Sequence, residues 1–335
     1  MLRENAERDE VLEAACSGDG EAFGRLAEPF RRELQAHCYR MLGSVQDAED
    51  ALQDSLLRAW KGIGAFERRS SVRTWLYAIA TRRCLDLAVK RRPRLLPADL
   101  GPASSHVLID DRPVRDIPWL EPYPEPADLD ENPGARLQQR EASELAFVAA
   151  LQHLTGNQRA ALLLFDVLGF SAAEIATMMD TSVASVNSAL QRSRSTLQDR
   201  IGRGGSDPSG DGEQAFEVAR AFADALERRD PSKMIELLTD DVTWSMPPLP
   251  GWYRGLPSVG NFAARVPLGA CGEWRTRMTR ANGHPAVAAY LKSAPTDGFD
   301  AWSINVLTLA GTRIRDVTSF IGSAYFARFG LPLHL

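Results

Sequence analysis

Nine of the 20 prolines of this 335-residue chain fall between Pro93 and Pro133, among them Pro118, Pro122, Pro124 and Pro126 around Trp119 and Tyr123. Proline fixes φ and has no N–H to donate, so this stretch cannot be the interior of a helix. An extended linker is expected there. A second break, Gly202 to Gly212 (GRGGSDPSGDG), has the composition of a flexible tether. The chain is also longer than one hydrophobic core usually organises. The expected layout is therefore residues 1–92, a linker over 93–139, residues 140–202, a short linker over 203–212, and a last piece over 213–335.

The first piece carries helical signals throughout. A lead-in over residues 1–19 ends at Gly18-Asp19-Gly20, and Phe23, Leu26, Phe30, Leu34, Cys38, Met41 and Leu42 are core candidates. Ser44 and Asp47 form a capping pair for a helix whose apolar stripe is Ala48, Ala51, Leu52, Leu56, Ala59 and Trp60. The other face of that helix is acidic and amide-rich: Glu49, Asp50, Gln53 and Asp54. Between Glu67 and Arg94 the chain has nine basic and two acidic residues, with Trp75 and Tyr77 interleaved. Cations for phosphates with aromatics for exposed bases suit single-stranded nucleic acid. The formal net charge of −5 hides this segment, because residues 95–135 hold nine acidic and two basic side chains.

The third piece starts from a helical pattern that resumes at Arg136, with Leu145, Phe147, Val148, Leu151 and Leu154 on its apolar face. It then spells out a helix-turn-helix. Ser171 and Glu174 make a capping box, Ile175, Met178 and Met179 an apolar face, and Asp180-Thr181-Ser182 the break. In the second helix Val183, Val186 and Leu190 are expected to point inward. Ala184, Ser185, Asn187, Ser188, Gln191, Arg192 and Arg194 then face outward. Small residues admit a helix to the major groove, and Asn, Gln and Arg can read base edges.

The last piece changes texture. Phe216–Arg228 and Ser232–Leu238 read as helices, Asp241–Met246 as a strand, and Pro257–Arg265 as a further helix. Strands follow near Glu273–Arg280, Ala286–Lys292, Ala301–Leu309 and Arg313–Phe320, with turns at Asn282-Gly283 and Gly311. A curved antiparallel sheet wrapped on helices, an α+β cone, is the expected fold. Trp244, Trp252, Tyr253, Tyr290 and Trp302 are candidates to line a pocket in it. Asp241, His284 and Asp316 are its titratable groups but form no recognisable catalytic dyad. The terminal Phe326, Phe329 and Leu331 are expected to be exposed apolar surface that marks a docking site. The four cysteines are scattered and the pair His37-Cys38 lacks a second pair nearby, so neither a disulfide nor a metal is expected. No apolar run approaches the ~20 residues needed to span a bilayer, and the charged first thirteen residues are no signal peptide.

Asp47–Trp60 (DAEDALQDSLLRAW), the Phe66–Asp86 segment FxxxSSxRTWLYxIAxxxCLD and the distal helix-turn-helix together resemble RNA polymerase sigma factors of the sigma-70 family, in the extracytoplasmic-function group. The last piece resembles the SnoaL-like domain fused to a subset of them, through Trp244–Pro248, Gly251–Gly255 and Phe329–Pro332. The resemblance implies a multidomain protein: two all-α sigma domains, the second with the helix-turn-helix, followed by the SnoaL-like cone. It implies that Asp50, Gln53 and Asp54 grip core RNA polymerase, and that Arg73, Arg82, Arg83 and Arg91 meet the melted −10 element. The second helix of the helix-turn-helix would read the double-stranded −35 element. Family members often carry Asn where Arg82 stands, and their Thr-Trp-Leu triplet is largely structural, which favours a core role for Trp75 over an aromatic platform for bases. The acidic linker would either mimic nucleic acid in the polymerase cleft or act as a solvated tether. The implied protein is a cytoplasmic, non-enzymatic initiation factor without cofactors, with an anti-sigma factor or small ligand as a further candidate partner. Its cone would adjust its activity. The alternatives are a ligand-sensing helix-turn-helix repressor, and a SnoaL-like cyclase or isomerase joined to a DNA-binding module.

Overall fold

The computed structural model describes residues 2–107, 112–125, 144–201, 212–292 and 298–335. The chain divides into two compact units: Met1–Pro93 with Val148–Gly202, and Arg94–Phe147 with Arg203–Leu335.

The first unit is helical. Its opening helices are α1 (Leu2–Cys16), α2 (Gly20–Leu42), α3 (Val45–Gly62) and α4 (Val72–Lys90). Each boundary has a local cause. Asp19 caps α2 by accepting from the Glu21 and Ala22 amides at 2.9 and 3.1 Å. Gly43 ends α2 at φ 68°, a left-handed geometry that glycine adopts without steric cost. Ser44 Oγ then accepts from the Asp47 amide at 3.2 Å to start α3, and Ser71 Oγ from the Thr74 amide at 3.0 Å to start α4. Phe23, Leu34, Cys38, Met41 and Leu42 are buried as expected, whereas Leu26 and Phe30 are half-buried. Trp75 is half-buried against Phe66, ring centroids 5.0 Å apart.

Helices α5 (Leu145–Leu151), α6 (Gly156–Leu162), α7 (Ala172–Met178) and α8 (Val183–Ile201) follow. The helical start expected at Arg136 lies outside the described residues. The Ser171–Glu174 box is formed, with the Ser171 amide donating to Glu174 Oε2 at 2.9 Å. Asp180 turns the chain at φ 51°, and Ser182 Oγ accepts from the Ser185 amide at 3.1 Å. Val186 and Leu190 are buried, but Val183 is 44% exposed and is not a core residue. It sits in the first turn of α8, where the helix has not yet reached its neighbours.

A buried guanidinium pins this unit together. Arg159, 5% exposed, donates to the carbonyls of Leu151, Gln152 and Leu154 at 2.8–3.2 Å, to Gln152 Oε1 at 3.0 Å and to the Met41 carbonyl at the end of α2. Burial lowers its pKa to about 10. Four of these five bonds go to backbone carbonyls at the ends of α2 and α5 and in the turn after α5, and the fifth to the Gln152 side chain.

The second unit holds α9 (Glu213–Arg228), α10 (Pro231–Glu236), α11 (Leu256–Arg265), α12 (Ala324–Arg328) and one six-stranded sheet. The strands are β1 (Leu238–Ser245), β2 (Trp252–Arg254), β3 (Glu273–Ala281), β4 (His284–Lys292), β5 (Asp300–Ala310) and β6 (Arg313–Ile321), in the order β2-β1-β6-β5-β4-β3. All pairings are antiparallel except β1 with β6, which is parallel, so the sheet is mixed rather than wholly antiparallel. The long connection from β1 to β6 allows the parallel closure that no hairpin permits. The helix-facing side of the sheet is packed with Phe222, Trp244, Phe262, Val287, Leu307 and Val317.

The Pro-rich segment has no α-helix among its described residues, but it is not a free tether there. The Ser104 amide donates to the Trp252 carbonyl at 2.7 Å and the Val114 amide to the Pro248 carbonyl at 3.0 Å. Tyr123 and Asn282 exchange two hydrogen bonds, 2.8 and 3.0 Å, beside the bridge from Pro124 to Ala281. Glu121 pairs with Arg328 at 2.9 Å and Arg94 at 3.5 Å. The segment thus lies along the cone. The second tether, 202–211, lies outside the described residues.

The expectation for the chain end is also corrected. Phe326 is fully buried, its ring edge-on to Tyr290 at 5.0 Å, and Phe329 and Leu331 are half-buried. The last residues pair with the start of β5 through Phe299 and Leu335.

Candidate nucleic-acid interface

On α3 the expected polymerase-binding stripe is on the surface. Asp50 and Gln53 are exposed, and Gln46 Nε2 donates to Asp50 at 3.4 Å. Asp54 is half-exposed and pairs with Arg83 of α4 at 2.6 Å. One turn on, Leu57 is 51% exposed beside them, a residue that sequence reasoning missed. The signal was available, since Leu57 falls off the apolar stripe at helical spacing while being itself apolar.

The four basic residues expected at the −10 element all have intramolecular partners. Arg73 lies 3.4 Å from Glu33, with its guanidinium over the rings of Tyr77 and Phe170 at 5.0 and 4.9 Å. Arg82 Nε donates to the Met178 carbonyl at 2.8 Å and Nη2 to that of Thr177 at 3.4 Å. Arg83 is held by Asp54, and Arg91 pairs with Asp47. The Tyr77 hydroxyl donates to Glu33 at 3.1 Å, and burial, then the Glu33 charge, push its pKa far up. Val89 is 88% exposed, one residue before Lys90, and was also missed.

On α8, Ala184, Ser185, Asn187, Ser188, Gln191 and Arg192 are exposed, while Val186, Ala189, Leu190, Ser193 and Leu197 face inward. This is the division a groove-reading helix needs. Arg194 sits on the flank. It forms a two-pronged pair with Asp166 at 2.5 and 3.2 Å and lies over Phe165 at 5.5 Å. The hydrogen bond to Asp166 raises its pKa further. An open groove of about 530 Å³ runs here, between Phe165 and Asn187, Gln191 and Arg194.

The five aromatic residues expected to line a pocket in the cone do not meet in one. Trp244 is in the packed core, its Nε1 donating to Ser319 at 2.9 Å, and Tyr253 stacks on Phe262 at 4.3 Å. Tyr290 lies on the other face of the sheet against Phe326, since it pairs in register with residues of opposite parity to Val287 and Leu291. Trp252 Nε1 donates to the Gly101 carbonyl at 3.0 Å, and Trp302 is 39% exposed. Strand alternation separates these side chains. Of the titratable groups, Asp316 accepts from Thr243 at 2.7 Å and Asp241 is exposed on β1.

Comparison with known proteins agrees with this architecture. Residues 26–94 match the model for Sigma-70 region 2, 144–197 that for Sigma-70 region 4, and 219–317 that for the SnoaL-like domain. The chain is 41% identical over 340 aligned residues to the ECF RNA polymerase sigma factor SigG of Mycobacterium tuberculosis, covering 99% of this chain and 88% of that one. It is 32% identical over 200 residues to SigM of the same organism, covering 60% and 86%. The crystal structure of the M. tuberculosis extracytoplasmic function sigma factor SigJ superposes with a TM-score of 0.58 at 23% identity, covering 91% of this chain and 98% of that chain, and so shares its fold. Neither a lone repressor nor an enzyme with a DNA-binding tether accounts for regions 2 and 4 in this order. The chain belongs to the extracytoplasmic-function sigma factors of RNA polymerase, with a SnoaL-like domain after region 4.

Proposed function

We propose that Asp50, Gln53 and Leu57 of α3 form the centre of the core-polymerase contact, with Asp54 contributing once Arg83 is drawn to DNA. A charged and amide stripe offers charge-assisted hydrogen bonds to a basic helix, and an exposed leucine adds apolar area. Arg73, Arg82, Arg83 and Arg91 meet the melted −10 element. Ala184, Ser185, Asn187, Ser188, Gln191 and Arg192 enter the major groove at the −35 element. The site of action is the cytoplasm. Among the described residues no helix is long and apolar enough to cross a membrane.

The SnoaL-like domain modulates initiation by holding the segment that joins regions 2 and 4. One observation carries this reading: Glu121 of that segment, 16% exposed, sits between Arg94 and Arg328 of the terminal helix α12. A carboxylate between two guanidiniums is a strong but exchangeable clasp. Of the four described linker carboxylates, Asp99, Glu121 and Glu125 are already engaged: Asp99 accepts from the Leu96 amide and Glu125 from that of Gly283. A linker that enters polymerase must first leave Arg328 and Gly283, the two of these partners that lie in the SnoaL-like domain. Run-off transcription with core enzyme, comparing wild type, Glu121→Gln, Arg328→Ala and residues 1–205, tests this. Severalfold altered output in the three variants, in the same direction, is expected. Output equal to wild type in all three refutes modulation through the linker.

A further inference from the structure

We propose that in the free factor the helix-turn-helix occupies the −10 face of α4, so that promoter DNA and α7 compete for the same groups. The proposal rests on the assignment of Arg73 and Arg82 to that face. Helix α4 grips α7 at both ends. At the C-terminal end Arg82 donates to the Met178 and Thr177 carbonyls, two of the acceptors that a helix end leaves without an internal partner. A cation there also meets the negative end of the helix dipole. At the N-terminal end Phe170, 6% exposed, precedes the Ser171 cap and lies under Arg73 and edge-on to Tyr77, ring centroids 5.5 Å apart.

This contact explains an arginine at position 82, where an asparagine is too short to reach the end of α7. Its guanidinium is sequence-distant from its acceptors by 95 and 96 residues, so the bonds form only when region 4 is folded back on region 2. A phosphate or base edge that takes Arg82 strips the cap from α7, and one that takes Arg73 uncovers Phe170. By linkage, closure weakens DNA binding at α4 by the factor by which DNA weakens closure.

The test uses the full chain, free of polymerase, in three variants: Phe170→Ala, Arg82→Gln and the double substitution. Amide hydrogen exchange over residues 172–179 should speed about tenfold in each single variant, the scale of one charge-assisted bond lost. A fluorescein-labelled single strand of mixed sequence should bind Phe170→Ala about tenfold more tightly than wild type. The double variant should fall back towards wild type, because Arg82, one of the two arginines that opening frees, is then gone. Unchanged exchange in both single variants overturns the proposal, as does faster exchange in Phe170→Ala with unchanged DNA affinity. Should Phe170→Ala unfold region 4 by circular dichroism, exchange in Arg82→Gln decides alone. Run-off transcription of Phe170→Ala against the double variant, both of them open, separately reports whether α4 is the promoter face: equal output would remove that assignment while leaving the closed contact standing.

Discussion

Lowering the pH from 7.5 to 5 should destabilise region 2 through one residue, His37. Its side chain is fully buried on α2, and Nε2 lies 2.9 Å from Thr81 Oγ1 of α4. Nδ1 is buried without a hydrogen-bond partner. A second proton would leave an N–H unpaired in a dry core, next to the positive charge of Arg40. Burial first, then Arg40, accordingly lower the pKa from 6.5 to about 3. The folded value is depressed, so the folded state binds fewer protons than the unfolded chain between those two pH values. Stability from this group is therefore complete above 6.5 and is lost as the pH falls towards 3. At pH 5 the unfolded histidine is almost fully protonated and the folded one is not, which costs about 2 kcal/mol. Urea titrations at pH 7.5 and 5, wild type against His37→Gln, isolate this group from the carboxylates, because Gln can keep a bond to Thr81 without titrating. The wild type should lose about 2 kcal/mol more than the variant. Equal pH dependence in the two proteins would show that His37 is not held neutral.

Two further outcomes follow from the same contacts. Arg159→Ala orphans buried carbonyls at the end of α5, in the turn that follows it and at the end of α2, and should lower stability by about 3–5 kcal/mol in a thermal or urea melt; a change under 1 kcal/mol would refute the role given to this guanidinium. Arg192→Ala should cost about 1–3 kcal/mol of discrimination at one base pair of the −35 element in competition binding, whereas Arg194→Ala, already paired with Asp166 on the flank of α8, should cost less than 1 kcal/mol of stability and leave the base preference intact. A base preference that survives Arg192→Ala at every position would mean that α8 docks differently.

Much of this molecule is legible in its sequence, for local reasons. Ser44 and Ser171 announce helix starts because the capping bond is made within three residues. The hairpin at Asn282-Gly283 is legible because both residues tolerate positive φ, 53° and 80° here. What was not legible depends on partners far away in the chain. The parallel pairing of β1 with β6 joins residues more than 70 apart, and strand β2, three residues long, has too short a pattern to register. The pocket reading failed because aromatic residues were collected by type, while strand parity sends Trp244 and Tyr290 to opposite faces. The linker's composition excluded an α-helix but could not disclose that Glu121 would find Arg328. Arg82 likewise looked like a surface cation, since nothing near it in sequence indicates two carbonyls at the end of α7.

The most direct test of the account is binding of the full chain to core RNA polymerase, measured by fluorescence anisotropy for wild type, Asp50→Lys and Leu57→Ala. Both side chains are exposed on α3, so circular dichroism and melting should not change. Asp50→Lys puts a repelling charge opposite a basic helix and should abolish measurable binding, and Leu57→Ala should weaken it about tenfold, the scale of one buried leucine. Wild-type affinity in both variants, with the fold intact, would contradict the assignment of this face to polymerase.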